Sequence, residues 1–413
     1  MPRALIFGFL VMFGLTGCSE NPSSQVENVS NGLNEAQRKL LSDINAFCET
    51  VTSQYIYLEK LNGNFPLACD QARERVATTD HGAERFRVLE RLLDSLYDNH
   101  GMFGANASDS FKLIPSGADF WIDEGKVSAV LPQSAAANAG LQVGDEILAV
   151  NGLAVEALEA LRIEPKGIKP SQAQKYWSLV SSAQGRRNES RSISVNRNGE
   201  SISIDIGDTP DQALAPNVEV QMLDNAIAYL KINNQLGNMQ TVSDFDAALE
   251  SVRQAKGWIL DLRYTPGGGG TDIAVPIMSR FVDAGRPYQI TEYKNGKTWV
   301  AKTQDAGSWT ANGPLSVLVG RWTGSMGEGM AIGFDGLERA TVIGNDMARL
   351  AGGVDDFHFP ESGFLYKIPT YNLTHVDGTN RHEWSPSVFA ISDNGNGPDL
   401  ALAKAIQVVA SEI

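Results

Sequence analysis

Leu315-Ser316-Val317-Leu318-Val319-Gly320-Arg321-Trp322-Thr323-Gly324-Ser325-Met326-Gly327-Glu328-Gly329-Met330 is the stretch on which the reading of this chain turns. The apolar run Leu315–Val319 predicts a buried strand, the glycines a tight turn, and the residues that follow a helix starting at Ser325. A serine at such a corner has its hydroxyl beside unpaired N–H groups and the positive end of a helix. Those surroundings suit an exposed hydroxyl nucleophile and the stabilisation of an oxyanion. Ser325 and Glu328 are also spaced as a capping box, which needs no chemistry. The segment by itself leaves both readings open.

Working outward, residues 218–413 alternate strand and helix. Strand patterns fall at Ala226–Ile232, Trp258–Arg263, Val317–Gly320 and Ala340–Gly344. Helical patterns fall at Asp244–Gln254 (with Ser243 as its cap), Asp272–Phe281, Gly327–Leu337 and Pro398–Ala410. That alternation predicts a layered α/β domain. Residues 115–207 have a different character. A short strand, Val127–Leu131, precedes the small-residue helix Ser134–Ala139. Then come Gly140-Leu141-Gln142-Val143-Gly144-Asp145-Glu146-Ile147-Leu148-Ala149-Val150-Asn151-Gly152 and an alternating hairpin around Asn198-Gly199. Between them, 153–190 holds a further helix that includes Tyr176–Val180. Residues 34–110 read as helices, with Leu40, Leu41, Ile44, Phe47 and Val51 at helical spacing, then Phe86, Leu89, Leu92, Leu93 and Leu96.

The N-terminus reads as an address. Residues 1–17 carry one Arg and a short apolar run, and Leu15-Thr16-Gly17-Cys18 resembles a bacterial lipobox, with the Cys18 thiol as the lipid attachment point. An ordinary secretory signal is the alternative. Ser19 after the cysteine resembles outer-membrane sorting, and 18–33 is a polar, flexible tether. The expected location is therefore the bacterial envelope, lipid-anchored and facing the periplasm. Cys48 and Cys69 are the other cysteines; in an oxidising compartment they form a disulfide, or they remain two buried thiols. The 413 residues carry a net charge of −15, with no basic block, so nucleic acid is not an expected partner. The five histidines show no metal-ligand spacing, and no metal or cofactor is expected.

The order of landmarks is the glycine-rich segment 140–152, then Leu260-Asp261-Leu262-Arg263-Tyr264-Thr265-Pro266-Gly267-Gly268, then Gly324-Ser325-Met326-Gly327-Glu328. It resembles the tail-specific, or carboxyl-terminal processing, serine proteases with a PDZ domain. Their relatives include the tricorn protease core and the interphotoreceptor retinoid-binding protein. The resemblance implies a multidomain α/β fold: an N-terminal helical domain, a PDZ-like β-barrel and a crotonase-like α/β catalytic core. It implies Ser325 as nucleophile, with the N–H of Gly267 or Gly268 and that of Met326 as oxyanion donors. It also implies polypeptide substrates held through the PDZ-like domain.

The general base departs from part of the family. Members with a Ser–Lys pair carry their lysine where this chain reads Asn345-Asp346-Met347-Ala348-Arg349-Leu350-Ala351-Gly352-Gly353, which has none. A guanidinium does not deprotonate at usable pH, and Lys367 reads as the exposed side of a strand. The resemblance is closer to the tricorn-core branch, which implies a histidine from the N-terminal segment, His100. His100 as a packing residue at a helix end is the plain alternative, and His375 and His382 are reserve bases. Glu383 is the late carboxylate that either orients the imidazole or binds Arg381 at the surface. A catalytically degenerate homologue, acting as a peptide- or ligand-binding lipoprotein, is the competing function.

Overall fold

The computed structural model of the chain describes residues 32–79, 82–208, 215–305, 307, 309–391 and 398–413. Segment 1–17 and the Cys18 lipobox lie outside them. Helix α1 (Glu35–Gln54) opens on an Asn34–Gln37 capping box and buries Leu40, Ile44, Phe47 and Val51. It packs with α2 (Phe65–Val76), which is followed by α3 (Gly82–Asp94). Cys48 and Cys69 are joined by a disulfide between α1 and α2, their Cα atoms 6.2 Å apart. Strand β1 (Met102–Phe103) follows directly after the turn that carries His100.

The second unit is an antiparallel sheet in the order β2-β3-β4-β6-β7, formed by β2 (Phe120–Asp123), β3 (Lys126–Val130), β4 (Glu146–Val150), β6 (Arg191–Arg197) and β7 (Glu200–Ile206), with β5 (Leu153–Ala154) paired on β4. Helices α4 (Ala135–Asn138), α5 (Val155–Leu161) and α6 (Gln172–Ala183) cover it. The turn residues Asn151 and Gly152, and Asn198 and Gly199, all take positive φ, the requirement of a two-residue hairpin that follows strand twist. Val127, Ala129, Ile147, Val150, Ile193 and Val195 fill the interior.

The third unit has two sheets. β8 (Val218–Met222), β9 (Ile227–Ile232), β10 (Gly257–Asp261), β14 (Leu315–Val319), β16 (Thr341–Gly344) and β19 (Val388–Phe389) form one in the order β19-β16-β14-β10-β9-β8; all its pairings are parallel except β8–β9. β10 and β14 are buried along their whole length, as their mostly apolar sequence, interrupted by Asp261 and Ser316, requires of a sheet covered on both faces. α7 (Gln240–Ser251), α8 (Thr271–Ser279), α9 (Met326–Gly336) and α10 (Leu400–Glu412) supply the cover. α7 begins earlier than its sequence signal, at Gln240, so Ser243 is no cap; its hydroxyl turns back to the Gln240 carbonyl at 2.9 Å. The other sheet contains β12 (Pro287–Tyr293), β13 (Thr298–Lys302), β17 (Gly353–His358) and β18 (Leu365–Thr374).

The helical N-terminal unit is not a free-standing body. β1 pairs antiparallel with β18, Met102 opposite Lys367, and the helical core continues into Phe359, Tyr366 and Ile368. That pairing carries His100 across to the third unit.

Candidate active site

Two parallel neighbours bring the glycine run and the serine together. Beyond β10 and β14 the chain makes a second short parallel contact, β11 (Tyr264–Thr265) against β15 (Trp322–Thr323), with Thr265 opposite Thr323. Segments 266–270 and 324–326 therefore leave the same carboxyl edge side by side, where open α/β sheets place their ligands. The end of β10 is pinned. Arg263 reaches Asp261 through Nε and Nη2, and Asp399 through Nη1 at 2.7 and 2.8 Å. Asp399 in turn caps α10, and the Tyr229 hydroxyl donates to Asp261 at 2.6 Å.

Ser325 is the N-cap of α9, at φ 49 and ψ −110, a positive φ that a side chain adopts only where its surroundings hold it there. The capping box is present, with the Ser325 N–H donating to Glu328 Oε2 at 2.8 Å. It coexists with a second arrangement, for Ser325 Oγ lies 3.0 Å from His100 Nε2. Ser325 is half-buried, and His100 is 2% exposed. The other ring nitrogen, Nδ1, lies 3.0 Å from the Ala351 carbonyl. A carbonyl only accepts, so Nδ1 carries the proton and Nε2 presents a lone pair to the serine hydroxyl. The His100 N–H donates to Asp98 Oδ1, and the Tyr55 hydroxyl donates to Asp98 Oδ2, both at 2.9 Å. Burial, and after it the positive charge of Arg381, push the imidazole down from 6.5 to about 4. Burial pushes the Glu328 carboxyl the other way, from 4.5 up to about 7.

The glycine run meets the serine through Gly268. A Cβ there would lie 2.4 Å from Ser325 Cβ and 3.1 Å from the Met326 nitrogen, and its φ of +61 favours glycine independently. The N–H groups of the run are differently employed from the expectation. Gly267 donates to Asn234 Oδ1 at 2.7 Å and Gly268 to the Thr265 carbonyl at 3.2 Å. The Met326 N–H, in the first turn of α9, has no carbonyl within its helix to donate to and is the donor that opens on this corner. Gly268→Ala is expected to cut turnover about 100-fold, since the added methyl displaces the nucleophile by a large fraction of an ångström. Steady-state kinetics with an intact melting curve checks it.

Glu383 is not at this site. It is exposed, accepting from Asn380 Nδ2 at 2.9 Å, with His382 Nε2 at 3.8 Å; the group against His100 Nδ1 is a main-chain carbonyl instead. Nor does Arg381 pair with Glu383 at the surface. It is 2% exposed and donates to the carbonyls of Leu350 and Gly352. His375 sits between Asp335 and Asp377, His382 against Lys60 and Tyr57, and Lys367 on Asp356 at 2.8 Å. Arg381 was missed as a buried residue because its immediate neighbours, Asn380 and His382, are polar; its burial comes from elements distant in sequence. Among the described residues no three His, Cys, Asp or Glu side chains cluster to hold a metal ion.

The antiparallel unit touches this corner directly. Arg321 pairs with Asp123 and lies over the Trp121 ring, and Trp322 Nε1 donates to the Ala118 carbonyl at 2.7 Å. Its strand β2 is thus fixed to the residues that lead into Ser325.

Comparison with known proteins places these features. Residues 226–387 match the model of peptidase family S41, and residues 126–162 match a PDZ domain. The carboxy-terminal processing protease CtpA of Bacillus subtilis is 30% identical over 246 residues, 59% of this chain and 48% of that protein. The carboxy-terminal-processing protease of Bartonella bacilliformis is 26% identical over 227 residues, 53% of this chain and 47% of that one. The chain spans about half the length of the curated relatives it matches. Among solved structures, the photosystem II D1 C-terminal processing protease is similar in fold, with a TM-score of 0.55, 18% identity, and coverage of 92% of this chain and 98% of that one. Mature CPAF is similar too, with a TM-score of 0.58, 12% identity, and coverage of 86% and 93%.

Proposed function

We propose, from the match of residues 226–387 to peptidase family S41 and of residues 126–162 to a PDZ domain, that the chain is a serine endopeptidase of the tail-specific type, with Ser325 as nucleophile and His100 as general base. The observation that carries this reading is the 3.0 Å contact between Ser325 Oγ and His100 Nε2. A neutral Nε2 takes the hydroxyl proton as Oγ attacks the scissile carbonyl, and returns it to the leaving amine; water then hydrolyses the acyl-enzyme with His100 again as base. The Met326 N–H and the positive end of α9 stabilise the tetrahedral oxyanion. The same contact supports catalysis over a binding-only homologue, since a base is present although the Ser–Lys lysine is not. The role of Glu383 falls to the Ala351 carbonyl.

The PDZ domain delivers the substrate. Its β2 is tied to Arg321 and Trp322, so a chain end docked there lies near the nucleophile. An unfolded substrate with a free C-terminal carboxylate is expected to be cleaved with a lower KM than its C-terminally amidated twin, with kcat little changed. Equal KM values for the two would remove the PDZ domain from substrate capture.

The proposed location is the bacterial envelope, with a lipid on Cys18 and the enzyme facing the periplasm; the outer membrane is the side that Ser19 favours. No described helix is long and apolar enough to cross a membrane. Expressed in bacteria fed an alkyne-bearing fatty acid, the full chain is expected to take up the label and sediment with membranes, and Cys18→Ser to do neither. Label in the variant equal to the wild type would contradict the anchor.

A further inference from the structure

His100 is oriented by a peptide carbonyl, and something must hold that carbonyl. Ala351 lies in the segment between β16 and β17, outside any helix or strand. Its two neighbours are gripped from opposite sides. Arg381 Nη2 donates to the Leu350 carbonyl at 2.9 Å and to the Gly352 carbonyl at 2.6 Å. Glu328 Oε2 accepts from the Leu350 N–H at 3.3 Å and from the Ser325 N–H at 2.8 Å. Leu350 is thus fixed at both ends of its backbone, and Ala351, between two clamped carbonyls, keeps its own oxygen on Nδ1. Arg381 is itself anchored at the end of β18, its N–H donating to the Leu373 carbonyl at 2.8 Å.

We propose that Arg381 and Glu328 are positioning residues for His100, fixing its Nδ1–H tautomer through the Leu350–Gly352 backbone and doing together what an orienting carboxylate does in a serine triad. This rests on Ser325 and His100 being the catalytic pair. Both groups are almost wholly buried, 2% and 0% exposed, and a buried charge persists only where its surroundings use it. Glu328 bonds the nucleophile's own N–H, so one carboxylate sets the serine and the base relative to each other. A guanidinium suits the other half, since Nη2 holds its two N–H bonds in fixed, in-plane directions towards the two carbonyls, where an ammonium on a flexible stem rotates freely.

The charges around His100 give the proposal a signature. The Arg381 charge lies near enough to disfavour the protonated ring. Asp98 holds its backbone and is itself faced by Tyr55 and Lys60. Arg381 is faced by Glu328, Tyr57 and Tyr371. Removing the guanidinium therefore makes His100 easier to protonate, whereas the Glu328 carboxyl, already neutral where His100 titrates, leaves that midpoint in place.

The test is the pH dependence of fluorophosphonate labelling of the full chain, read beside the histidine tautomer in long-range proton–nitrogen spectra. In Arg381→Met the labelling rate at neutral pH is expected to fall about 100-fold through misplacement of the base. Its acid midpoint is expected to move up from about 4 towards the ordinary 6.5, and the His100 Nδ1–H signal to give way to a mixture of tautomers. Arg381→Lys keeps the charge and loses the fixed N–H directions of Nη2, so its rate falls with the midpoint near that of the wild type. Glu328→Gln puts a weaker, neutral acceptor against the two N–H groups, so its rate at neutral pH falls while its midpoint stays near that of the wild type, the carboxyl being already protonated there. If Arg381→Met does not fold, the Lys and Gln variants decide. Folded variants whose midpoints and tautomer match the wild type, with rates reduced only in proportion to the folded fraction, overturn the proposal. A wild type that is not labelled at all overturns the catalytic pair instead, and the tautomer spectra then judge the positioning by themselves.

Discussion

Ser325→Ala is expected to lower kcat on unfolded casein on the order of 10⁶-fold, the loss seen when a hydroxyl nucleophile is removed from a serine hydrolase. The melting temperature should hardly move. The hydroxyl is one half-buried atom, and alanine meets the same backbone requirement at φ 49. The Glu328 contact to the residue 325 N–H survives the change, since it uses the backbone. A stable variant without activity therefore separates chemistry from folding. Cleavage by the variant at the wild-type rate would place the nucleophile elsewhere.

The second large effect is in pH. The acid limb of kcat/KM reports the essential base of the free enzyme. With His100 held down at about 4 by burial and by Arg381, activity is expected to stay level as pH falls from neutrality and to drop with a midpoint near 4, where an ordinary imidazole would give 6.5. His100→Ala should lose on the order of 10⁶-fold, as removal of the base alone does in a serine protease. Stability follows the same groups. His100 is neutral in the folded chain and protonates more easily in the unfolded one, so its contribution is present above 6.5 and is lost as pH falls towards 4. Glu328 runs the other way: its raised value means a contribution present below 4.5 and lost as pH rises through about 7. Between those limits the two partly offset each other. Glu328→Gln is thus expected to make unfolding more acid-sensitive there, which denaturant midpoints measured at a series of pH values would register.

Much of the site was legible because its signals are local. A mostly apolar run, glycines and a serine at the head of a helix are written consecutively in Leu315–Met330, and the parallel pairing of β10 and β14 follows from two such runs in one α/β alternation. His100 was legible as a residue, through the resemblance of its segment, but not as a geometry. Its approach depends on β1 pairing with β18, a contact between residues 102 and 367 that no local pattern announces. Glu383 shows the opposite error. It had the right charge in roughly the right late segment, yet the turn at Asn380–Trp384 points it outward while its neighbour Arg381 goes in. Which member of a charged pair is buried depends on elements packed from elsewhere, here the Leu350–Gly352 backbone, whose carbonyls take the Arg381 guanidinium. The N–H groups of Gly267 and Gly268 are employed differently from the expectation for a similar reason, while Met326 keeps its place. A glycine run announces close backbone approach, and Gly268 does approach Ser325, but the Asn234 side chain that takes the Gly267 N–H lies on another loop.

The measurement that bears most directly on the Ser325–His100 pair is peptide mapping by mass spectrometry after treatment with a fluorophosphonate at neutral pH. The account predicts a single stoichiometric adduct on Ser325 in the wild type and almost none in folded His100→Ala over the same time. An adduct on another serine, or Ser325 modified equally fast without His100, would contradict it.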